Sequence, residues 1–260
     1  MAESIKNDDI KEEKHSFTGF ILLNSRIIDL ELLKKDLKAD WDITINEDNI
    51  KNENDTIVAE INGMMIAINL VKTPVPNDEA VKNAKNNFTW PEAVEIAENH
   101  KAHLIVAVLK RNQKPIDAAT LYVKLCASCL NQPNATGLFS SGTVYNPDMY
   151  KDLAKSYIEN GDLPILNLIY LGLYSNDQGK TTSAYTYGMR IFGKYDIEII
   201  DSKHNSEELF NFLHNILDYI LINNAELKDG ETIGFSAEQK LPIILSQSDI
   251  LSGETIKIGF

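Results

Sequence analysis

Asn62-Gly63 is the strongest constraint on how this chain folds. It joins two apolar runs, residues 57–61 and 64–71. Asn-Gly takes positive φ at both central positions of a type I′ turn, whose twist matches that of the strands it connects. The segment is therefore a β-hairpin, and the fold is built around an antiparallel pair. Residues 163–173 and 181–190 read as a second hairpin, with Ser175 to Lys180 as its loop.

Periodicity supplies the other elements. Residues 17–23 and 104–109 are short apolar runs and read as buried strands. Residues 27–37 place apolar side chains at helical spacing, and residues 41–45 alternate as a half-buried strand does. Thr89-Trp-Pro-Glu92 reads as a helix start, with Thr89 as cap, Glu92 closing a capping box and Pro91 in the first turn. That helix runs to about His100. Pro115 opens a helix through Ala118, Leu121, Leu125 and Leu130, and a short strand lies near 137–139. Asn146-Pro147 starts a helix to about Glu159, and residues 196–200 form a strand. Ser206 caps a helix whose apolar face holds Leu209, Phe212, Leu213, Ile216, Leu217 and Ile220. Short strands near Thr232, Ile243 and Ile256 close the chain.

The expected fold class is α+β, with antiparallel-rich sheets and helices on one face. Each half runs strand, helix, two strands, helix, strand, which is the order of the ferredoxin-like βαββαβ unit. Two tandem halves, 15–112 and 113–260, are expected after a disordered, charged leader at 1–14.

Charge narrows the function classes. The chain carries 25 Lys and Arg against 38 Asp and Glu, a formal net charge of -13. Such a chain repels nucleic-acid phosphates and anionic lipid at long range. It also lacks a Lys/Arg run interleaved with aromatics, so neither nucleic acid nor membrane is an expected partner. The acidity serves solubility and suits a basic protein partner. The two cysteines, Cys126 and Cys129, are too few for a secreted disulfide scaffold. Residues 1–14 lack the apolar core of a signal peptide, and no later stretch is long and apolar enough to span a bilayer. A cytoplasmic location is the resulting expectation.

Four segments hint at chemistry. Gly179-Lys180-Thr181 ends like a Walker A loop, but Tyr174 stands where that loop needs its first glycine. The loop should also open a helix that holds phosphate, and a strand-like run follows instead. Cys126-Ala-Ser-Cys129 is a C-x-x-C pair near the end of its helix, where the dipole opposes a thiolate. The preferred reading is a pair of small buried residues one turn apart. His100 and His103 have the right chemistry to join the cysteines as a Cys2His2 zinc site. They straddle a helix-to-strand boundary, however, and His100 has a plainer role in satisfying helix-terminal carbonyls. Ser140-Ser141-Gly142 has no histidine tied to it by spacing, and no G-x-S-x-G elbow occurs. Trp90 reads as a core anchor. No catalytic, cofactor-binding or metal-ligating residue is assigned, and no cofactor is expected.

Several segments taken in order carry a family resemblance. They are Thr73-Pro-Val-Pro76, Trp90-Pro-Glu-Ala93, His100-Lys-Ala-His-Leu104, Tyr187-Gly-Met189 through Gly193, Asp196-Ile-Glu198 and Lys228-Asp-Gly-Glu-Thr-Ile-Gly234. The chain resembles the bacterial domain of unknown function 4261 family, most strongly over 185–234. The resemblance implies an intracellular bacterial protein with no established activity, and it carries over no catalytic residue. Some relatives sit among toxin-immunity and accessory genes, which implies a binding role. The leading expectation is thus a non-catalytic, immunity-like interaction protein. The alternatives are a metal-dependent hydrolase near His100 and His103, or a small-ligand module in a cleft between the halves.

Overall fold

The computed structural model describes residues 16–45, 56–175, 179–236, 238–248 and 250–260. The leader expected at 1–14 lies outside them. The first sheet contains Ser16–Leu23 (β1), Thr56–Ile61 (β2), Met64–Val71 (β3), Ala102–Leu109 (β4), Ala135–Ser140 (β5) and Thr143–Tyr145 (β6). Its order is β2-β3-β4-β1-β5-β6, and every pairing is antiparallel. The expected hairpin pairs Ile61 with Met64, and Asn62 and Gly63 both have positive φ (50° and 76°).

Helices Leu30–Trp41 (α1), Glu79–Ala84 (α2), Ala93–Asn99 (α3) and Pro115–Cys129 (α4) cover this sheet. On one face, Phe17, Ile21 and Leu23 of β1 join the main core with Leu33 and Leu37 of α1 and Leu125 of α4. On the other, Leu22 and Phe139 pack beneath Ala80 and Ala84 of α2 and Ala93 and Ala97 of α3. Helices therefore lie on both faces of the first sheet, where one face was expected. The cause is local: β1 is apolar at successive positions from Phe20 to Leu23, so neither face can be left to water.

The second sheet follows Pro147–Glu159 (α5) and Ile165–Leu168 (α6). Its strands are Tyr170–Tyr174 (β7), Thr182–Tyr187 (β8), Ile197–Ser202 (β9), Thr232–Ile233 (β10), Leu241–Gln247 (β11) and Glu254–Ile258 (β12). The order is β10-β11-β12-β9-β8-β7. Among the described residues only β9 and β12 run parallel, and the connection between them includes Ser206–Asn223 (α7). Leu209, Leu213, Ile216 and Leu217 of α7 share a core with Ile197, Ile199 and Ile256 of the sheet. Among the described residues no helix is long and apolar enough to cross a membrane.

The α+β class and the antiparallel-rich sheets stand as expected, but ferredoxin-like halves are not confirmed. A split βαβ unit runs its two strands parallel with one strand between them. Here β4 and β3 both separate β1 from β2, and the three antiparallel pairings leave β1 and β2 opposed. The first sheet also extends past residue 112 to take in β5 and β6.

Some boundaries differ from expectation. No strand forms at 41–45, because α1 runs to Trp41 and Asp42 closes it in the left-handed conformation (φ 56°), its N–H reaching Leu37 and Lys38 carbonyls. Thr89 caps no helix. Instead Asn87 Oδ1 accepts from Thr89 N, Thr89 Oγ1 and Trp90 N, and α3 begins only at Ala93. Residues 163–173 divide between α6 and β7 rather than forming one strand. Asn205, not Ser206, caps α7.

Both sheets draw on one continuous core. Phe17 of β1 meets Phe192 edge-on at 5.6 Å between ring centroids. Ser141, in the β5–β6 turn, donates to the Leu168 carbonyl of α6 at 2.7 Å.

Candidate functional site

Where the two sheets meet, the second sheet presents a face that α7 does not cover. Alternation along β7 and β8 puts Tyr170, Tyr174, Tyr185 and Tyr187 on it, while Leu171 and Ala184 point into the core. Register pairs Tyr170 with Tyr187 and Gly172 with Tyr185. A Cβ at Gly172 would fall 2.1 Å from the Tyr185 ring, so glycine is what lets that ring lie across β7. Tyr185 then stands 6.2 Å from Tyr170 and 6.3 Å from Tyr174. The Tyr170 hydroxyl donates to the Asn86 carbonyl, tying this face to the segment before α3.

Glu198 of β9 pairs with Tyr185 on the same face and is only 1% exposed. Its carboxylate accepts from Thr255 Oγ1 at 3.0 Å and from Ser248 Oγ, and Lys257 Nζ lies 3.9 Å away. These donors satisfy a carboxylate that burial would otherwise disfavour. An open groove of about 560 Å³ runs over the tyrosines, rimmed by Phe88 and Ile250. Phe88, Tyr187 and Ile250 are 47%, 43% and 44% exposed.

Behind the groove lies a second cavity of about 310 Å³, which shares Tyr187, Leu251 and Ser252 with it. Its polar wall includes Tyr122, Ser140, Arg190, Asp196 and Thr255. Asp196 Oδ1 accepts from Thr186 Oγ1 and Met189 N, each at 3.1 Å. Burial pushes its carboxyl up to about 6, opposed by the Met189 and Thr186 donors and by the charge of Arg190. Arg190 Nη2 donates to the Ser252 and Glu254 carbonyls at 3.2 Å each.

The histidines lie elsewhere, on the α2–α3 face of the first sheet. His100 Nε2 accepts from the Val75 N–H at 2.8 Å, so Nδ1 carries the proton and donates to the Ala97 carbonyl. Both ring nitrogens are thereby used, and His100 satisfies a helix-end carbonyl as its sequence position implied. His103 contacts the Thr73 carbonyl through Nδ1 at 2.9 Å, and its ring stands edge-on to Phe20. Burial holds both imidazoles below their ordinary pKa. Cys126 and Cys129 are buried in the main core, across the sheet. The structure thus sets the two histidines near each other and away from both cysteines. Among the described residues no three His, Cys, Asp or Glu side chains gather as a metal-binding group. Burial pushes the Cys126 thiol up to about 12 and raises Cys129 as well, so neither is a ready thiolate.

Gly179-Lys180-Thr181 lies in the β7–β8 connection, with Gly179 N bonded to Ser175 Oγ, and β8 rather than a helix follows. Ser140 Oγ pairs with Tyr122 OH at 2.8 Å. Trp90 packs against the core beneath α2 and α3. The tyrosine face, Arg190 and Asp196 were not singled out from sequence as a site. The available signal was the spacing of aromatics by two or four residues, at Tyr170 and Tyr174 and again at Tyr185 and Tyr187.

Residues 185–259 match the family described as Domain of unknown function (DUF4261). That stretch contributes Tyr185, Tyr187, Arg190, Asp196 and Thr255 to the two depressions. Neither a curated protein nor a solved structure matches the chain.

Proposed function

We propose that this chain is a non-catalytic interaction protein of the bacterial cytoplasm that recognises a partner protein at the tyrosine-lined groove. The observation that carries this reading is the exposed hydrophobic rim: Phe88, Tyr187 and Ile250 stand exposed around a bed of three further tyrosines. Tyrosine and other aromatics supply large contact area at low conformational cost and dominate protein interfaces. The residues around both depressions are poorly equipped for nucleophilic chemistry. They include no histidine, and Ser141 Oγ is committed to the Leu168 carbonyl. A net charge of -13 favours a basic partner and speeds encounter with one.

Affinity capture from native extract tests this, comparing wild type with the Phe88→Ser/Tyr187→Ser double variant after both are shown to unfold alike. One partner should be retained by wild type, lost by the double variant, and weakened at about 0.5 M salt, where screening acts over a few ångströms. Equal retention by both proteins would remove the groove from recognition, and a salt-insensitive complex would remove the basic partner.

A further inference from the structure

The cavity behind the groove carries two opposite charges that do not meet. Arg190 Nη2 is engaged by the Ser252 and Glu254 carbonyls, and among the described residues Nε and Nη1 have no hydrogen bond and no carboxylate partner. That is notable in a chain with 38 acidic and 25 basic residues. Asp196 lines the same cavity; the Thr186 hydroxyl and the Met189 N–H both donate to its Oδ1, and the Gly188 N–H also favours its ionised form. Asp196 and Arg190 are near enough to feel each other's charge yet form no ion pair.

We infer that this cavity binds a small zwitterion with an apolar side group, a free amino acid of the leucine type, its carboxylate on Arg190 and its ammonium on Asp196. A simple anion would satisfy Arg190 but face the Asp196 carboxylate, and a simple cation would face the guanidinium. A ligand carrying both charges makes two charge-assisted hydrogen bonds and leaves neither wall opposed. The Tyr122–Ser140 hydroxyl pair adds neutral donors beside it. Phe17, Leu168, Ile191 and Leu251 form the apolar wall that would take the side group. The volume, about 310 Å³, falls at the small end of small-molecule sites, which span roughly 300–1,000 Å³. Arg190, Asp196 and the apolar wall lie outside the groove lining except Leu251, so this inference does not rest on recognition at the rim.

Calorimetric titration of the full chain with leucine, N-acetyl-leucine, leucinamide and lysine is the test. Leucine should bind. Removing its cation by acetylation or its anion by amidation should weaken binding at least about tenfold each, or about 1.4 kcal/mol. Lysine should bind more weakly than leucine. Arg190→Gln should lower leucine affinity by a similar factor while the thermal unfolding midpoint stays within a few degrees. If Arg190→Gln unfolds, the acetyl and amide comparisons on the wild-type protein decide alone. No heat from leucine up to about 10 mM, where even a millimolar site would be filled, overturns the proposal. So does equal binding of leucine and N-acetyl-leucine, which would mean that Asp196 reads no cation.

Discussion

His100 and Asp196 are both buried, and they make stability respond to pH in opposite senses. His100 is bonded in its neutral form, and burial lowers its pKa. The unfolded chain therefore binds the extra proton first, and this contribution to stability is lost as pH falls below about 6.5, the unperturbed imidazole value. Asp196 is raised from 3.8 to about 6, so between those values the folded state binds the extra proton. Its contribution is greatest in acid and is lost as pH rises through about 6. Asn at this position keeps a carbonyl oxygen for Thr186 and Met189 and removes the buried charge. Asp196→Asn should therefore match or exceed wild-type stability at pH 8. Relative to wild type it should lose about 3 kcal/mol between pH 8 and pH 3, from a shift of about two units at 1.36 kcal/mol each. Urea unfolding at both pH values measures this, and a difference that did not change with pH would contradict the burial of that charge.

At the scale of elements, α7 shows what a sequence displays and what it hides. Its amphipathic stripe is plain from Leu209 to Ile220, but the cap is displaced by one residue. Asn205 Oδ1 accepts from Glu208 N at 3.0 Å, and Glu208 Oε2 accepts from Asn205 N at 3.0 Å, a closed capping box. Asn205→Ala should cost about 1 kcal/mol, as cap deletions typically do, whereas Ser206→Ala should cost a few tenths. Equal losses in thermal unfolding would return the cap to Ser206. The same contrast holds along the chain. Asn146-Pro147 and Asn62-Gly63 were legible because cap and turn chemistry act within a few residues. The end of α1 was not, because the bond from Trp41 Nε1 to Ser128 Oγ joins residues far apart in sequence. The site was illegible for the same reason. Its walls join Phe17, Tyr122 and Ser140 to Arg190 and Asp196, residues brought together by the meeting of two sheets and by no local spacing. The histidine and cysteine pairs are each a compact local motif, yet the first sheet stands between them.

At the scale of the molecule, the two sheets divide the chain by hydrogen bonding but not by packing. A single core cluster runs from Leu104 and Leu125 to Ile197 and Leu213. Polar ties reinforce it: Ser141 Oγ to the Leu168 carbonyl, and the Tyr170 hydroxyl of β7 to the Asn86 carbonyl. The Phe17–Phe192 contact lies at the same junction. Neither sheet can shed the other without exposing apolar surface, so the chain should unfold as one cooperative unit despite its length. Tryptophan fluorescence, which reports on Trp41 and Trp90 beside the first sheet, should follow the same curve as far-ultraviolet circular dichroism. Phe192→Ala provides the sharper form of this prediction. It removes a buried ring from the junction and should cost about 3 kcal/mol, as large-to-small core changes do. If the shared core enforces cooperativity, that loss moves one transition to lower temperature without splitting it. Two resolved transitions in the wild-type protein, or a variant in which the fluorescence curve stays at its wild-type midpoint while the dichroism curve moves, would show that the sheets fold independently.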